Sequence, residues 1–405
     1  MRGQDRRPRG SHTGGMSGHQ PTGARMRAVT LHRGELSVAE LPTPAPGTGQ
    51  VLLRVLRAGI CGSDLHARTD ADASADIAAE VGYDHLLRPA HTVVLGHEFA
   101  GEIVAYGPGC RARWPAGTRV VGLPLLRTGG DVHMIGLSVA APGGYAQYML
   151  AAEDALLPVP ERLAPELAAL TEPLAVARHA VRIGGPRRGD VAVVIGCGPI
   201  GLAVILMLKA AGVRRIVASD PSGERRQLAA RCGATVVVDP ATGSPWRALG
   251  TSRRVVTSAP DYYGLGLDAL HTLRRVPGLP WPRLLRAAAR FGPRGPVVFE
   301  CVGVPGIIEH IVTSTPFLST VVVVGVCMQP DTFRPTMASN KELQLRFSFC
   351  YDPVDFDETL HLIARGRVDP RPLVTRTVGL DGVAAAFDAL AAGHDAKILI
   401  DPARA

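Results

Sequence analysis

No two of the seven cysteines (Cys61, Cys110, Cys197, Cys232, Cys301, Cys327 and Cys350) form a C-x-x-C pair, and their number is odd. Neither a disulfide framework nor a four-cysteine structural zinc site is indicated. There is also no run of about 18 apolar residues able to span a bilayer, and the start lacks the hydrophobic block of a secretory signal. A cytoplasmic protein without a membrane partner is expected. A broadly basic surface is missing as well: the net charge of +8 is concentrated in the first 27 residues, which hold six arginines against one aspartate. Residues 1–25 are rich in Gly, Pro, Ser and His, bury little, and read as a disordered tail. Nucleic acid is not expected as a partner.

What is present is the composition of a globular protein, 46% hydrophobic and 20% charged over 405 residues, enough for two or three domains. From Met26 the chain reads as short β-rich segments (MRAVTL, GQVLLRVLRAGI, HTVVLGHEFAGEIVAYG, GTRVVGL) separated by Gly/Pro turns, which suggests a partly antiparallel, barrel-like unit. Near Leu163 the texture changes. ELAALTEPLAVARHAVRIG has helical spacing, and strand and helix signals then alternate through DVAVVIG, PIGLAVILMLKAAG, RRIVASD, GERRQLAARCG and TVVVDP. Such alternation implies βαβ units around a parallel sheet, giving an α/β fold class. PVVFECVG and TVVVVGVCM extend that sheet, and mixed texture returns after about Lys341, ending in KILIDP. The stretch 243–296 has no clear period and lies where a short connection is expected, so it reads as an insertion.

Two constellations carry chemistry. GICGSDLH holds Cys61, Ser63, Asp64 and His66, and LGHEFAGEIVAYGPGC holds Gly96, His97 and Glu98. Taken singly, a Cys is usually a small buried hydrophobe and a His-Glu pair a surface feature. Together they offer borderline-soft ligands from distant segments, the kind that hold Zn²⁺ with a position open for substrate. The second constellation, VVIGCGPIG, places Gly196, Gly198, Pro199, Ile200 and Gly201 between a strand and a long helix. The first glycine permits the turn, the second lets backbone approach a pyrophosphate, and the third lets the helix pack on the strand. Asp220 ends the next strand, about 20 residues on, where a carboxylate can bond the adenosine ribose 2′-hydroxyl. It favours NAD over NADP, although Arg225 and Arg226 nearby weaken that inference.

These motifs, with GGYAQYM, TEPLAVARHA, FECVG and NKEL, resemble the zinc-dependent alcohol dehydrogenases of the medium-chain dehydrogenase/reductase superfamily. The resemblance covers about Met26 to Pro402 apart from the insertion, and alcohol dehydrogenase is itself an example in the general account of zinc sites. It implies a GroES-like catalytic domain (26–172, completed by 343–405) and a Rossmann domain (173–342). Cys61 and His97 would be zinc ligands, Glu98 an adjacent carboxylate able to ligate, and Glu172 the third protein ligand, as in the sorbitol and threonine dehydrogenase branch. Asp64 would orient a zinc ligand, or else serves only as a turn residue. Arg225 would lie over the adenine or on a solvated helix face. Lys397 would contact the pyrophosphate or sit exposed on a strand edge.

The chain departs from the family pattern in the lobe that usually holds four cysteines, GLPLLRTGGDVHMIGLSVAAPGG, and in Gly117-Thr118-Arg119-Val120, where Thr118 stands in place of Asp. One catalytic zinc, no structural zinc and a homodimer or homotetramer are expected. The implied reaction moves hydride between an alcohol and NAD(P), with zinc acting as Lewis acid, Ser63 accepting the hydroxyl proton and His66 passing it to solvent. A zinc-free quinone or enone reductase of the same fold, and a non-catalytic nucleotide-binding protein, are the alternatives. The metal-type residues speak against the first and the proton path against the second.

Overall fold

A computed structural model describes residues 24–249, 255–275, 278, 280–289, 292–393 and 395–404. The expected tail therefore lies outside the described residues except for Ala24 and Arg25, and Arg25 already belongs to the first strand, Arg25–His32. That strand is buried through Ala28–Leu31, lying between its largely exposed partner Glu35–Pro42 and Thr92–Val94. A seven-stranded sheet follows, ordered 156–158, 119–122, 98–106, 50–59, 397–400 and 374–378, with 148–152 also paired to 50–59. The last strand thus lies antiparallel to 50–59, with Leu399 opposite Gly59. Chain end and chain beginning share one core, which includes Val51, Leu53, Ile103, Phe387, Ile398 and Ile400.

The six-stranded sheet is entirely parallel, in the order 236–238, 215–219, 191–195, 297–300, 320–323, 344–347. Its inner strands are apolar runs such as VAVVI and VVFE, as required of strands covered on both faces. Order reverses between Val191–Ile195 and Val297–Glu300, and the crevice beyond their carboxyl ends is where open α/β sheets bind ligands. Strand Gln344–Phe347, which the sequence places in the returning segment from 343, is instead the sixth strand of this sheet.

The stretch 243–296 lies within one long connection. It joins the edge strand Val236–Val238 to Val297–Glu300, which are not neighbours, so it must cross behind two other strands. Leu249 and Val256 are buried beneath the sheet, while the helix Ala259–Arg274 buries none of its residues.

A polar clamp ties the two regions together. Asp355, on the helix Pro353–Ala364, accepts bonds from His179 (2.7 Å) and Arg182 (2.9 Å) on the helix Thr171–Gly184. Burial pushes the Asp355 carboxyl up, but the bonds from Arg182 and His179 outweigh it and hold it below the usual range. A depressed folded value means that stabilisation is present above the ordinary carboxylate pKa and is lost as pH falls through the folded one. Asp355→Ala is expected to cost about 2–3 kcal/mol in urea unfolding at neutral pH, since Arg182 and His179 lose their buried partner, and much less in strong acid. Equal losses at both pH values would refute the clamp.

Candidate active site

Just past the strand Gln50–Gly59 the chain turns into the helix Gly62–Thr69, with Cys61 at its N-cap in extended conformation. The motif closes this turn itself: Asp64, third in the helix, accepts a 2.9 Å bond from the Cys61 amide, which would otherwise lack a partner. His97 is placed by a break. The segment HTVVLGHEFAGEIVAYG, which reads as one β-rich run, is two strands in different sheets, Thr92–Val94 and Glu98–Tyr106. The kink between them uses Gly96 at φ +103°, where a Cβ would meet the Tyr145 ring at 2.5 Å. Only glycine fits there.

These elements bring Cys61, His97 and Glu98 together, with one ligand-type atom of each within 4.8 Å of the others. Ser63 Oγ lies 3.2 Å from His97 Nε2. On the far side of the ring, Asp64 Oδ1 stands 3.4 Å from His97 Nδ1, while Asp64 Oδ2 accepts a 2.6 Å bond from the Tyr145 hydroxyl. Asp64 is fully buried. It faces a ligand-type histidine rather than serving the turn alone.

The electrostatics call for a cation. Burial disfavours a charged imidazole, yet Asp64 and Cys61 hold His97 well above its ordinary value. Burial also raises Asp64, but His97 and Tyr145 outweigh it and leave the carboxyl low. Asp64 Oδ1 and His97 Nδ1 are buried without a hydrogen-bonded partner. The thiol of Cys61, the imidazole of His97 and the carboxylate of Glu98 fit a Zn²⁺ ion, with Asp64 behind the ring.

Glu172 is the second residue of the helix Thr171–Gly184, a favourable end for a carboxylate. Burial pushes it up to about 7, Glu98 adds to the rise, and His97 and a bond with Tyr351 oppose it. It borders the group but lies outside the tight set of three. His66 follows Ser63 by one helical turn, is partly exposed, and places Nδ1 3.5 Å from Asp70. The path from Ser63 toward solvent is short.

The exposed-edge alternative for Lys397 does not hold. Its ammonium is buried, donating to Glu98 Oε1 (2.6 Å), Glu98 Oε2 (2.8 Å) and the Ile60 carbonyl (2.8 Å). Strand Lys397–Ile400 pairs on both sides, with 374–378 and 50–59, so its first residue is not on a sheet edge. Glu98 needs this partner because its carboxylate is itself fully buried over Gly59, where any Cβ would fall 2.0 Å from Oε2.

At the crevice, Gly196 has φ +90° and a Cβ there would meet Val302 at 2.8 Å. A Cβ on Gly201 would fall 2.0 Å from the Gly196 carbonyl, whereas Gly198 has nothing within 4 Å. The first and third glycines are thus needed for packing, and the second leaves open backbone at the N-cap of the helix Pro199–Ala210, whose first residues are Pro199 and Ile200. Asp220 is buried and takes the Cys197 amide on one oxygen (2.7 Å) and the Ser222 amide on the other (2.8 Å). Arg226 binds the carbonyls of Asp220 and Pro221 and pairs with Asp239 at 3.1 Å. The Arg225 guanidinium lies beside Gly393.

Three participants were not singled out from sequence. Tyr145 sits in GGYAQYM, where nothing but a fold links it to Asp64; Tyr351 reaches Glu172; and buried Glu300 takes the Val302 and Gly303 amides at the crevice rim.

Residues 47–161 match the alcohol dehydrogenase GroES-like domain and residues 199–262 the zinc-binding dehydrogenase family. The chain is 32% identical to an (R,R)-butanediol dehydrogenase of Bacillus subtilis over 93% of its own length and all of the relative's. It is 27% identical to a sorbitol dehydrogenase of Halalkalibacterium halodurans, covering 91% of this chain and 96% of that one. Among solved structures, a protein of Sinorhizobium meliloti 1021 assigned to the zinc-binding dehydrogenases, with NADP bound, superposes with a TM-score of 0.73 at 26% identity, covering 94% of this chain and all of the other. With the zinc-type donors gathered beside a dinucleotide-type crevice, and with full-length similarity to these dehydrogenases, the chain belongs to the zinc-dependent alcohol dehydrogenase family of the medium-chain dehydrogenases/reductases.

Proposed function

We propose that this protein transfers hydride between a secondary alcohol or polyol and NAD(P), giving a ketone or aldehyde. The observation that carries the reading is the convergence of Cys61, His97 and Glu98 within 4.8 Å, with the Ser63 hydroxyl on the same imidazole. Cys61 and His97, with Glu172 and Glu98 beside them, would hold one catalytic zinc, and no cysteine-held structural zinc accompanies it. When bound, zinc supplies a Lewis acid for the substrate oxygen, and the nicotinamide supplies the hydride acceptor. Ser63 takes the hydroxyl proton, and His66, one turn along and open to solvent, releases it. Asp64 fixes the His97 ring from behind, and Tyr145 fixes Asp64.

The crevice at Gly196–Gly201 takes the pyrophosphate, with the open backbone at Gly198 closest to it. Asp220, whose oxygens each retain a lone pair after bonding the Cys197 and Ser222 amides, takes the ribose hydroxyls and favours NAD. Arg225 lies toward the adenine. The catalytic unit is built from 26–172 and the returning chain, and the cofactor unit from 173 to the end of strand Gln344–Phe347. That strand is a sheet edge flanked by Phe347 and Phe349, exposed by 69% and 78%, which supports a homodimer or homotetramer. No helix among the described residues is long and apolar enough to cross a membrane, in keeping with a cytoplasmic location.

A panel of secondary alcohols, vicinal diols and polyols, each assayed with NAD and with NADP, tests the reading. Turnover of at least one class is expected, with kcat/KM higher for NAD. Reduction of quinones or enones, with no alcohol oxidised, would overturn it.

A further inference from the structure

The lobe that lacks cysteines carries another set of metal-type groups. Leu125–Thr128 and Asp131–Met134 form a hairpin closed by Gly129 and Gly130, both at positive φ. Asp131 and His133, two residues apart on one strand, share a face. Against that face lies the segment around His85, docked by the Tyr83 hydroxyl, which accepts the Met134 amide at 2.8 Å, and by the Leu87 amide on the Leu137 carbonyl at 2.9 Å. One ligand-type atom each from His85, Asp131 and His133 falls within 4.8 Å of the other two.

We infer that this lobe holds a second divalent transition-metal ion, Zn²⁺ foremost, bound by His85, His133 and Asp131. Two neutral imidazoles and one carboxylate form a donor set suited to that class of ion. His133 is prepared for it: the ring is buried and Nδ1 is bonded to Ser138 Oγ at 2.9 Å, which leaves Nε2 as the donor. The His85 and His133 rings sit 4.4 Å apart, tilted by 43°, and His85 Nε2 is 3.7 Å from Asp131. Among the described residues no arginine or lysine is paired with Asp131. The other histidine–carboxylate group outside the active site, His179 with Asp352 and Asp355, differs in this respect, because Arg182 already neutralises both carboxylates. An ion in the lobe pins the hairpin to the 83–87 segment without thiolates. The metal count becomes two rather than the one expected from sequence.

Full-length protein loaded with Co²⁺, with metal quantified per chain, tests this. His85 and Asp131 are exposed, so His85→Ala and Asp131→Ala leave the fold intact. Two ions are expected in the wild type and one in either variant, with dehydrogenase activity unchanged. Cys61→Ala is expected to keep one ion, whose spectrum lacks the sulfur-to-cobalt charge-transfer band. One ion in the wild type and none in Cys61→Ala would overturn the lobe site and leave the catalytic reading standing, as would two ions retained in His85→Ala. Loss of one ion in His85→Ala alongside full activity in Cys61→Ala supports the lobe site while overturning the catalytic one.

Discussion

Cys61→Ala is expected to lower kcat/KM for alcohol oxidation by on the order of 10³-fold and to remove the catalytic zinc, with the protein still folded. The size follows from the several kcal/mol that a Lewis acid contributes to charge stabilisation in the transition state, at about 1.4 kcal/mol per tenfold in rate. Cys61 is the sole sulfur donor of the set of three and stands at a partly exposed N-cap, so its loss takes a ligand without opening a core cavity. Metal content, kinetics and circular dichroism on the same preparation separate the outcomes. A variant with activity within threefold of wild type would remove Cys61 from the metal site.

The second large effect concerns Lys397, one of only three lysines in the chain. Lys397→Met is expected to destabilise the protein by about 3–5 kcal/mol in urea unfolding, because the fully buried Glu98 carboxylate loses both bonds from its cation. Burial alone would lower the Lys397 pKa, yet Glu98 and Cys61 raise it, so the ammonium belongs to the negative charge of the site. Adding Glu98→Gln to Lys397→Met should recover part of the loss, since a neutral amide tolerates the missing cation. If Lys397→Met alone costs under 1 kcal/mol, the pairing is not what keeps Glu98 buried.

Much of this molecule was legible before its structure. The change from β-rich segments to alternating strand and helix, the VVIGCGPIG turn and the zinc-type pair of motifs all rest on local chemistry, and their elements lie where the sequence placed them. What escaped depends on contacts far apart along the chain. Gly96 looks like one glycine within a strand, and only the Tyr145 ring, 49 residues on, shows why the strand must break there. An exposed edge stays open for Lys397 in AKILI, beside a pyrophosphate contact, because no local pattern reveals that strands 374–378 and 50–59 flank it. That the stretch 243–296 crosses two strands is hidden as well, because strand order is not written in periodicity. Tyr145 and Tyr351 are likewise ordinary tyrosines until folding sets their hydroxyls against Asp64 and Glu172.

The bond from Lys397 to the Ile60 carbonyl spans 337 residues. During synthesis the chain makes both metal-binding motifs early, yet the cation that balances Glu98 is added 299 residues after it. The barrel-like unit therefore cannot mature as an N-terminal domain while the rest is being made, unlike the usual domain-by-domain order. Its sheet waits, two strands short, with a buried carboxylate uncompensated, until the six-stranded sheet has been made and the chain returns. Loss of strand Lys397–Ile400 would thus be felt first at a site whose motifs lie some 300 residues upstream.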